Sequence, residues 1–340
     1  MRRTLPAAAC LLGAALALSA CGAMKTQISP VASQAQPLSL ALAAPANAAQ
    51  AGILAARSDG ALTRAGVDLQ LSSAKSTEQA LSEVESGQVD VAVASEPELM
   101  MARNRHVKVV GFGALTQAPQ ATIVSIKHPK QHAISAVRDL SGTRLGVSGL
   151  SSEAALLSTM LRRAGVPSSR VTRVNVSANP VAALLSGRVD AYYGEAAPTV
   201  AAALRARHKR VEVVPADKLG LVRYDGLVFV TRIFYFAPHT NLLRRFVQAV
   251  GRGYEAVRRD PAAGLAALHA AQPSLDPAVA RSVLHQTLPE QFPAAGRPWG
   301  WQDQTAWNRF GRFLTSQGVI SAPGAWAGAS SNQLLAGQGP

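Results

Sequence analysis

The chain has 340 residues and a formal net charge of +14, with 48% apolar and only 5% aromatic side chains. That length suggests about two domains of roughly 100–200 residues each, with enough apolar content for sizeable cores. The only cysteines are Cys10 and Cys21, which excludes a disulfide, a cysteine-ligated metal or a cysteine nucleophile in the body of the chain. No dense basic run is interleaved with aromatics, so nucleic acid is not an expected partner.

Arg2 and Arg3 precede an apolar stretch from Leu5 to Leu18, shorter than the ~20 residues that span a bilayer. It ends Leu18-Ser19-Ala20-Cys21, which is similar to a bacterial lipobox, where small residues precede a cysteine that becomes lipid-modified. Residues 1–20 therefore read as a lipoprotein signal peptide. Cys21 is the expected lipidation site, and 21–36, small and polar, is the tether. Loss of 1–20 removes two arginines and no acid. That leaves 32 basic against 20 acidic side chains, a charge of +12. Such a balance suits a solvated basic surface near anionic lipid or an acidic ligand.

The first strand is expected at 38–42, followed by an Ala-rich helix over 48–57 that starts at Asn47, a good N-cap type. A short helix ends at Gly66, and 67–71 alternates like a strand. A helix over 77–86 is closed by Gly87. A strand at 89–94, a helix at 98–104 and a strand at 107–111 follow. The pattern restarts after about residue 115. Strands are expected at 123–126, 144–147, 171–176 and 189–193. Helices are expected at 154–164, capped by Ser151-Ser152-Glu153, and at 180–186. After a strand at 227–231 the pattern is helical, over 241–258, 261–271, 276–288 and 304–317. Residues 321–340, rich in Gly, Ala, Ser and Gln, read as a disordered tail. The helix–strand alternation argues for parallel α/β units.

One phrase recurs. Ser86-Gly87-Gln88-Val89-Asp90 returns as Ser186-Gly187-Arg188-Val189-Asp190, 100 residues later. Each copy links a helix to a strand that ends in small and acidic residues. Ligands of open α/β sheets bind outside the carboxyl ends of strands, so the echo marks two strand ends, at Ser95-Glu96 and at Glu195.

Several ordered stretches together resemble one family: Asn47-Ala48-Ala49-Gln50-Ala51-Gly52, Gly66-Val67-Asp68-Leu69, the two Ser-Gly-x-Val-Asp copies, Asp139-Leu140-Ser141-Gly142-Thr143-Arg144-Leu145-Gly146-Val147, and Arg297-Pro298-Trp299-Gly300-Trp301-Gln302-Asp303. They look like the solute-binding lipoproteins of ABC importers, in the nitrate/sulfonate/taurine and thiamine-pyrimidine-precursor group. The resemblance implies a periplasmic-binding-protein-like α/β fold of type II, two lobes joined by two crossing segments. Residues 37–115 would form lobe 1 and 116–224 lobe 2. Residues 225–320 would return to lobe 1 with the C-terminal helices. It implies a lipid-anchored, extracytoplasmic monomer that captures a small solute and serves an ABC permease and its ATPase. The Trp299 segment favours a thiamine pyrimidine precursor. The alternatives are a nitrate-, sulfonate- or taurine-like anion, or an enzyme on the same fold.

Candidate ligand contacts follow from strand-end and helix-start positions. Asn47 and Gln50 could pair with a ring nitrogen or an exocyclic amine, although Asn47 could equally serve as a cap. Ser95 and Glu96 close the first echo, and Gln117 follows the first crossing. Ser148 and Ser151 precede a helix N-terminus suited to an anion. Of Tyr192 and Tyr193, only one can face the cleft, because successive strand residues point to opposite faces. Tyr192 with Glu195 would suit an amino heterocycle. Trp299 could close over a ring or pack against the last helix. No catalytic set, metal-ligand spacing or cofactor motif is expected: His128 and His132 flank Pro129, which breaks the helical ligand arrangement.

Overall fold

The computed structural model describes residues 35–43, 47–127, 133–214, 216–322 and 324–338. The expected signal peptide, Cys21, and the histidines 128 and 132 lie outside the described residues, as does nearly all of the tether.

Among the described residues the strands are β1 (Gln36–Ala43), β2 (Val67–Ala74), β3 (Val91–Ser95), β4 (Val109–Ala114), β5 (Thr122–Ile126), β6 (Arg144–Val147), β7 (Thr172–Asn175), β8 (Ala191–Gly194), β9 (Val211–Val214) and β10 (Leu227–Arg232). The α-helices are α1 (Ala51–Ser58), α2 (Ala61–Arg64), α3 (Thr77–Ser86), α4 (Glu96–Asn104), α5 (Ser151–Arg163), α6 (Pro180–Leu185), α7 (Ala197–Ala206), α8 (Ile233–Phe236), α9 (Thr240–Arg259), α10 (Pro261–Ala271), α11 (Pro277–Thr287) and α12 (Gln304–Ser316). They build two five-stranded sheets, ordered β2-β1-β3-β10-β4 and β7-β6-β8-β5-β9. In the first, β1 runs parallel to β2 and β3, while β10 is antiparallel to β3 and β4. The second repeats the scheme, with β5 antiparallel to both β8 and β9. This is the expected α/β architecture with two crossing segments, since the chain leaves the first sheet after β4 and re-enters it at β10.

The recurrent phrase has a structural job in both copies. The Ser76 hydroxyl caps α3 by accepting from the Gln79 N–H at 3.1 Å, and Gly87 at φ +82° ends that helix. Asp90 then accepts from the Ser39 N–H and hydroxyl of β1 at 2.9 and 2.7 Å. In the second copy Asp190 accepts from the Arg144 N–H that opens β6, at 2.7 Å. Each aspartate thus staples a helix-to-strand turn to the neighbouring parallel strand, where the backbone donor would otherwise be unpaired.

The two crossings touch. Leu227 donates to the Thr116 hydroxyl at 2.7 Å, and the Gly226 N–H to the Thr116 carbonyl at 3.1 Å. A Cβ on Gly226 would stand 2.3 Å from the Ala118 carbonyl oxygen, so the approach requires glycine.

The late helices cover the first sheet. The 20-residue α9 lies against α1 so closely that a Cβ on Gly253 would meet the Gly52 carbonyl oxygen at 2.1 Å and the Ala56 Cβ at 2.7 Å. Backbone cannot yield as a flexible side chain can. Gly253→Ala is therefore expected to cost about 3 kcal/mol by forcing the helices apart, read as a lowered urea midpoint. An unchanged midpoint would mean that the helices do not meet there. On the other side α11 packs against α7: Val279, Ala280, Val283 and Leu284 share a buried cluster with Ala202 and Ala203.

Three expectations need correction. Residues 324–338 are packed, not disordered. The backbone at Ser330 pairs with Gly111, Leu334 and Leu335 are buried in the main core, and Arg103 donates to the carbonyls of Ala325 and Ala327 at 2.7 Å. Composition hid this because a few apolar residues suffice when a distant guanidinium holds the strap. The segment 197–214, left unassigned, forms α7 and β9. Ser151, Ser152 and Glu153 do not cap α5; they are its first turn, and Leu150 is the N-cap.

Candidate functional site

A cavity of about 490 Å³ lies where the carboxyl ends of strands from both sheets meet. The first-sheet side contributes Asn47, Gln50, Lys75, Ser76 and Thr77. The second-sheet side contributes Ser148, Glu153, Ser177, Tyr192, Glu195 and Thr199. Gln120 of the first crossing, and Ser274, Leu275, Val283 and Thr287 around α11, complete the wall.

Five expected residues therefore line this cavity. Asn47 and Gln50 form a capping box: the Asn47 Oδ1 accepts from Ala49, and the Gln50 Oε1 accepts from the Asn47 N–H, each at 2.9 Å. Both carbonyl oxygens are engaged with the backbone, so the amide NH2 groups are the donors available to a ligand. Tyr192 faces the cavity, while its neighbour Tyr193 points to the opposite face and is fully buried in a separate core cluster. Ser148 donates to the Glu153 carboxylate, whose other oxygen accepts from the Glu195 N–H at 2.8 Å.

The other five lie off the wall. Ser95 is buried beside the Glu195 carboxyl, behind the lining. Glu96 is fully buried and accepts from the Asp225 N–H at 2.6 Å; it ties α4 to the second crossing. The Asp225 carboxylate accepts in turn from the Trp307 indole at 2.8 Å. Gln117 spends its side-chain amide on the Trp301 carbonyl and its own carbonyl on Arg223. Ser151 is exposed, and its N–H donates to Glu78 at 3.0 Å. Trp299 stacks on Tyr254 at 4.6 Å in the core beneath α9.

The electrostatics are one-sided. Glu78 and Glu98 approach from the first-sheet side, Glu153 and Glu195 from the second. None of the four is in an ion pair among the described residues. Ser152 donates to Glu98 at 3.2 Å. Burial raises the Glu195 carboxyl well above its ordinary range, and the charges of Glu98 and Glu153 add to this. Burial also raises Glu153, and it pushes Glu98 up to about 7. Desolvation disfavours the charged form when no cation compensates. Among the described residues, Lys75 is the one basic residue on the wall. Among the described residues no cluster of His, Asp and Glu is arranged to hold a metal ion. No helix among them is long and apolar enough to cross a membrane.

Lys75, Ser76, Thr77 and Glu153 were not expected here. The strand-end rule that found Ser95 would have found the first three, which directly follow β2. Glu153 was hidden because an acid in a first helical turn reads as a dipole partner.

A family model described as NMT1/THI5 like matches residues 47–264. A formylaminopyrimidine-binding protein of Halalkalibacterium halodurans is 22% identical over 65% of this chain and 66% of its own length. A thiamine biosynthesis protein of Haemophilus influenzae is 29% identical over 42% of this chain and 44% of its own. The chain thus spans less than two thirds of either relative. The alkanesulfonate-binding protein SsuA of Xanthomonas axonopodis pv. citri, bound to MOPS, superposes with a TM-score of 0.66 at 19% identity, over 88% of this chain and 99% of that one. The desulfurization enzyme DSZB has the same fold, with a TM-score of 0.59 at 19% identity over 88% and 97%.

Proposed function

Because the chain belongs to the NMT1/THI5-like family, we propose that it is the extracytoplasmic, lipid-anchored solute-binding component of an ABC importer, carrying a thiamine pyrimidine precursor. The two sheets are the cores of two lobes, 37–115 with 225–320 and 116–224, that close on the solute about the crossing segments. The observation that carries the choice of ligand is the acidic cavity wall. Glu153 and Glu195 suit a ligand rich in N–H donors or carrying positive charge, such as an aminopyrimidine. A sulfonate or nitrate would meet these carboxylates with Lys75 alone, among the described residues, to offset them, at a cost in desolvation and repulsion.

In this reading Tyr192 supplies a ring face, Glu195 accepts from the exocyclic amine, and the Asn47 and Gln50 amides donate to ring nitrogens. Glu153 orients Glu195 through the backbone N–H between them. Capture is binding without turnover. Ligand favours the closed form to the extent that it binds that form better. Catalysis of a kind that needs a thiolate has no residue here, since both cysteines precede the fold.

A thermal-shift screen tests the choice. At a hundredfold excess over Kd, a ligand that binds only the folded chain stabilises it by about 3 kcal/mol. Formylaminopyrimidine and aminopyrimidine precursors are expected to raise Tm by several degrees, and alkanesulfonates, taurine and nitrate to leave it unchanged. The reverse pattern would replace the pyrimidine with an anion.

A further inference from the structure

The end of the second sheet away from the cavity has an opposite character, and it is independent of the ligand. Helices α6 and α7 begin at the cavity wall, with Pro180 and Thr199 on its surface. Their C-termini, and the amino end of β9, therefore lie at the far pole. There the turn from α7 to β9 carries Arg205, Arg207, Lys209 and Arg210, all exposed, with His208 at φ +57° making the reversal. Lys127, at the end of β5, bonds its N–H to the Arg210 carbonyl at 2.8 Å, which brings it to the same place.

The nearby acids are already engaged. Glu212 is 3.7 Å from Lys127, and Asp190 is 2.6 Å from Arg144. No carboxylate pairs with Arg205, Arg207, Lys209 or Arg210 among the described residues. Close by, at the end of α6, which packs on α7, Leu185 is 40% exposed, followed by the exposed Arg188. A compact basic surface with an apolar side chain at its margin is the pattern of a peripheral membrane contact. Residues 185–188 and 205–210 contain no Phe, Tyr or Trp to stack on a base, which disfavours single-stranded nucleic acid as occupant.

We propose that this pole rests on an anionic lipid surface, so that the protein lies against the bilayer with its solute cavity turned away. Contact is electrostatic and therefore salt-sensitive. Each basic residue close to an anionic surface strengthens binding about fivefold.

The test uses the mature chain from residue 21 carrying Cys21→Ser, so that neither the signal peptide nor acylation can hold it to lipid. Co-sedimentation is measured on phosphatidylcholine vesicles with and without phosphatidylglycerol, at low and high salt. Binding is expected only to the anionic vesicles, falling with salt. The variant R205Q/R207Q/K209Q/R210Q is expected to bind about a hundredfold or more weakly, while R205K/R207K binds as well as the parent. All four positions are exposed, and circular dichroism of each variant is compared with the parent to check its fold. Equal binding to neutral vesicles, retention by the glutamine variant, or tighter binding to duplex DNA than to anionic vesicles would each overturn the proposal.

Discussion

Glu195→Gln is expected to weaken aminopyrimidine binding about a hundredfold while raising the stability of the ligand-free protein. The two effects have one cause. The Glu195 carboxyl stands on the cavity wall beside Glu98 and Glu153 and is in no ion pair among the described residues. Without ligand, burial disfavours its ionised form, and a neutral amide removes that cost wherever the carboxyl would otherwise ionise. With ligand, the carboxylate accepts charge-assisted hydrogen bonds worth about 1.5–3 kcal/mol, and each 1.4 kcal/mol is about tenfold in affinity. Calorimetric titration reads the first effect and thermal unfolding the second. For an anionic ligand the substitution would strengthen binding. Tighter sulfonate binding by Glu195→Gln, with no change toward pyrimidines, would sink the proposed solute class.

Stability is expected to fall as pH rises from about 5 to 8, and Glu98→Gln is expected to flatten that fall. Glu98 is 3% exposed and titrates at about 7, raised by burial from an ordinary value of 4.5. Burial likewise raises Glu96 and pushes Asp225 up to about 7. Between the unfolded and folded values the native state holds more protons than the unfolded chain, so unfolding becomes easier with rising pH. The loss is absent below about pH 4.5 and, for Glu98, complete above about pH 7. The shift at Glu98 alone corresponds to roughly 3 kcal/mol. Tm against pH for the protein and for Glu98→Gln should give curves that separate toward high pH. Parallel curves would mean that Glu98 is hydrated in the folded state.

Periodicity made the framework legible. The helix bounds 77–86 and 261–271 and the strand bounds 144–147 coincide with α3, α10 and β6, because Ser76, Gly87 and Pro261 are strong local signals. The resemblance supplied the pairing of two sheets through two crossings, which local pattern cannot reach. Residues 197–214 escaped although α7 is no less periodic than the Ala-rich helix read over 48–57; β9, a four-residue half-buried edge strand, shows no alternation to read.

The site was half legible. Asn47, Gln50, Ser148, Tyr192 and Glu195 stand at strand ends on the cavity wall. Ser95 and Glu96 also follow a strand end. There, however, the chain turns straight into α4 and Glu96 is held by the Asp225 N–H of the second crossing, so that end of β3 is covered, whereas β8, equally central and buried, ends at the cavity. Position in sequence says that a residue leaves a strand; which neighbour covers that end is decided by residues more than a hundred positions away.

The place of β10 has a consequence for how such a chain is made. It lies between β3 and β4 in the first sheet, and among the described residues β4 has no other strand partner there. The first four strands emerge from the ribosome well before residues 227–232, and the strap at 330–335 emerges about a hundred residues later still. The half synthesised first is therefore the half completed last. Pairings so distant in sequence form slowly, which keeps the N-terminal sheet of the nascent polypeptide open until β10 arrives.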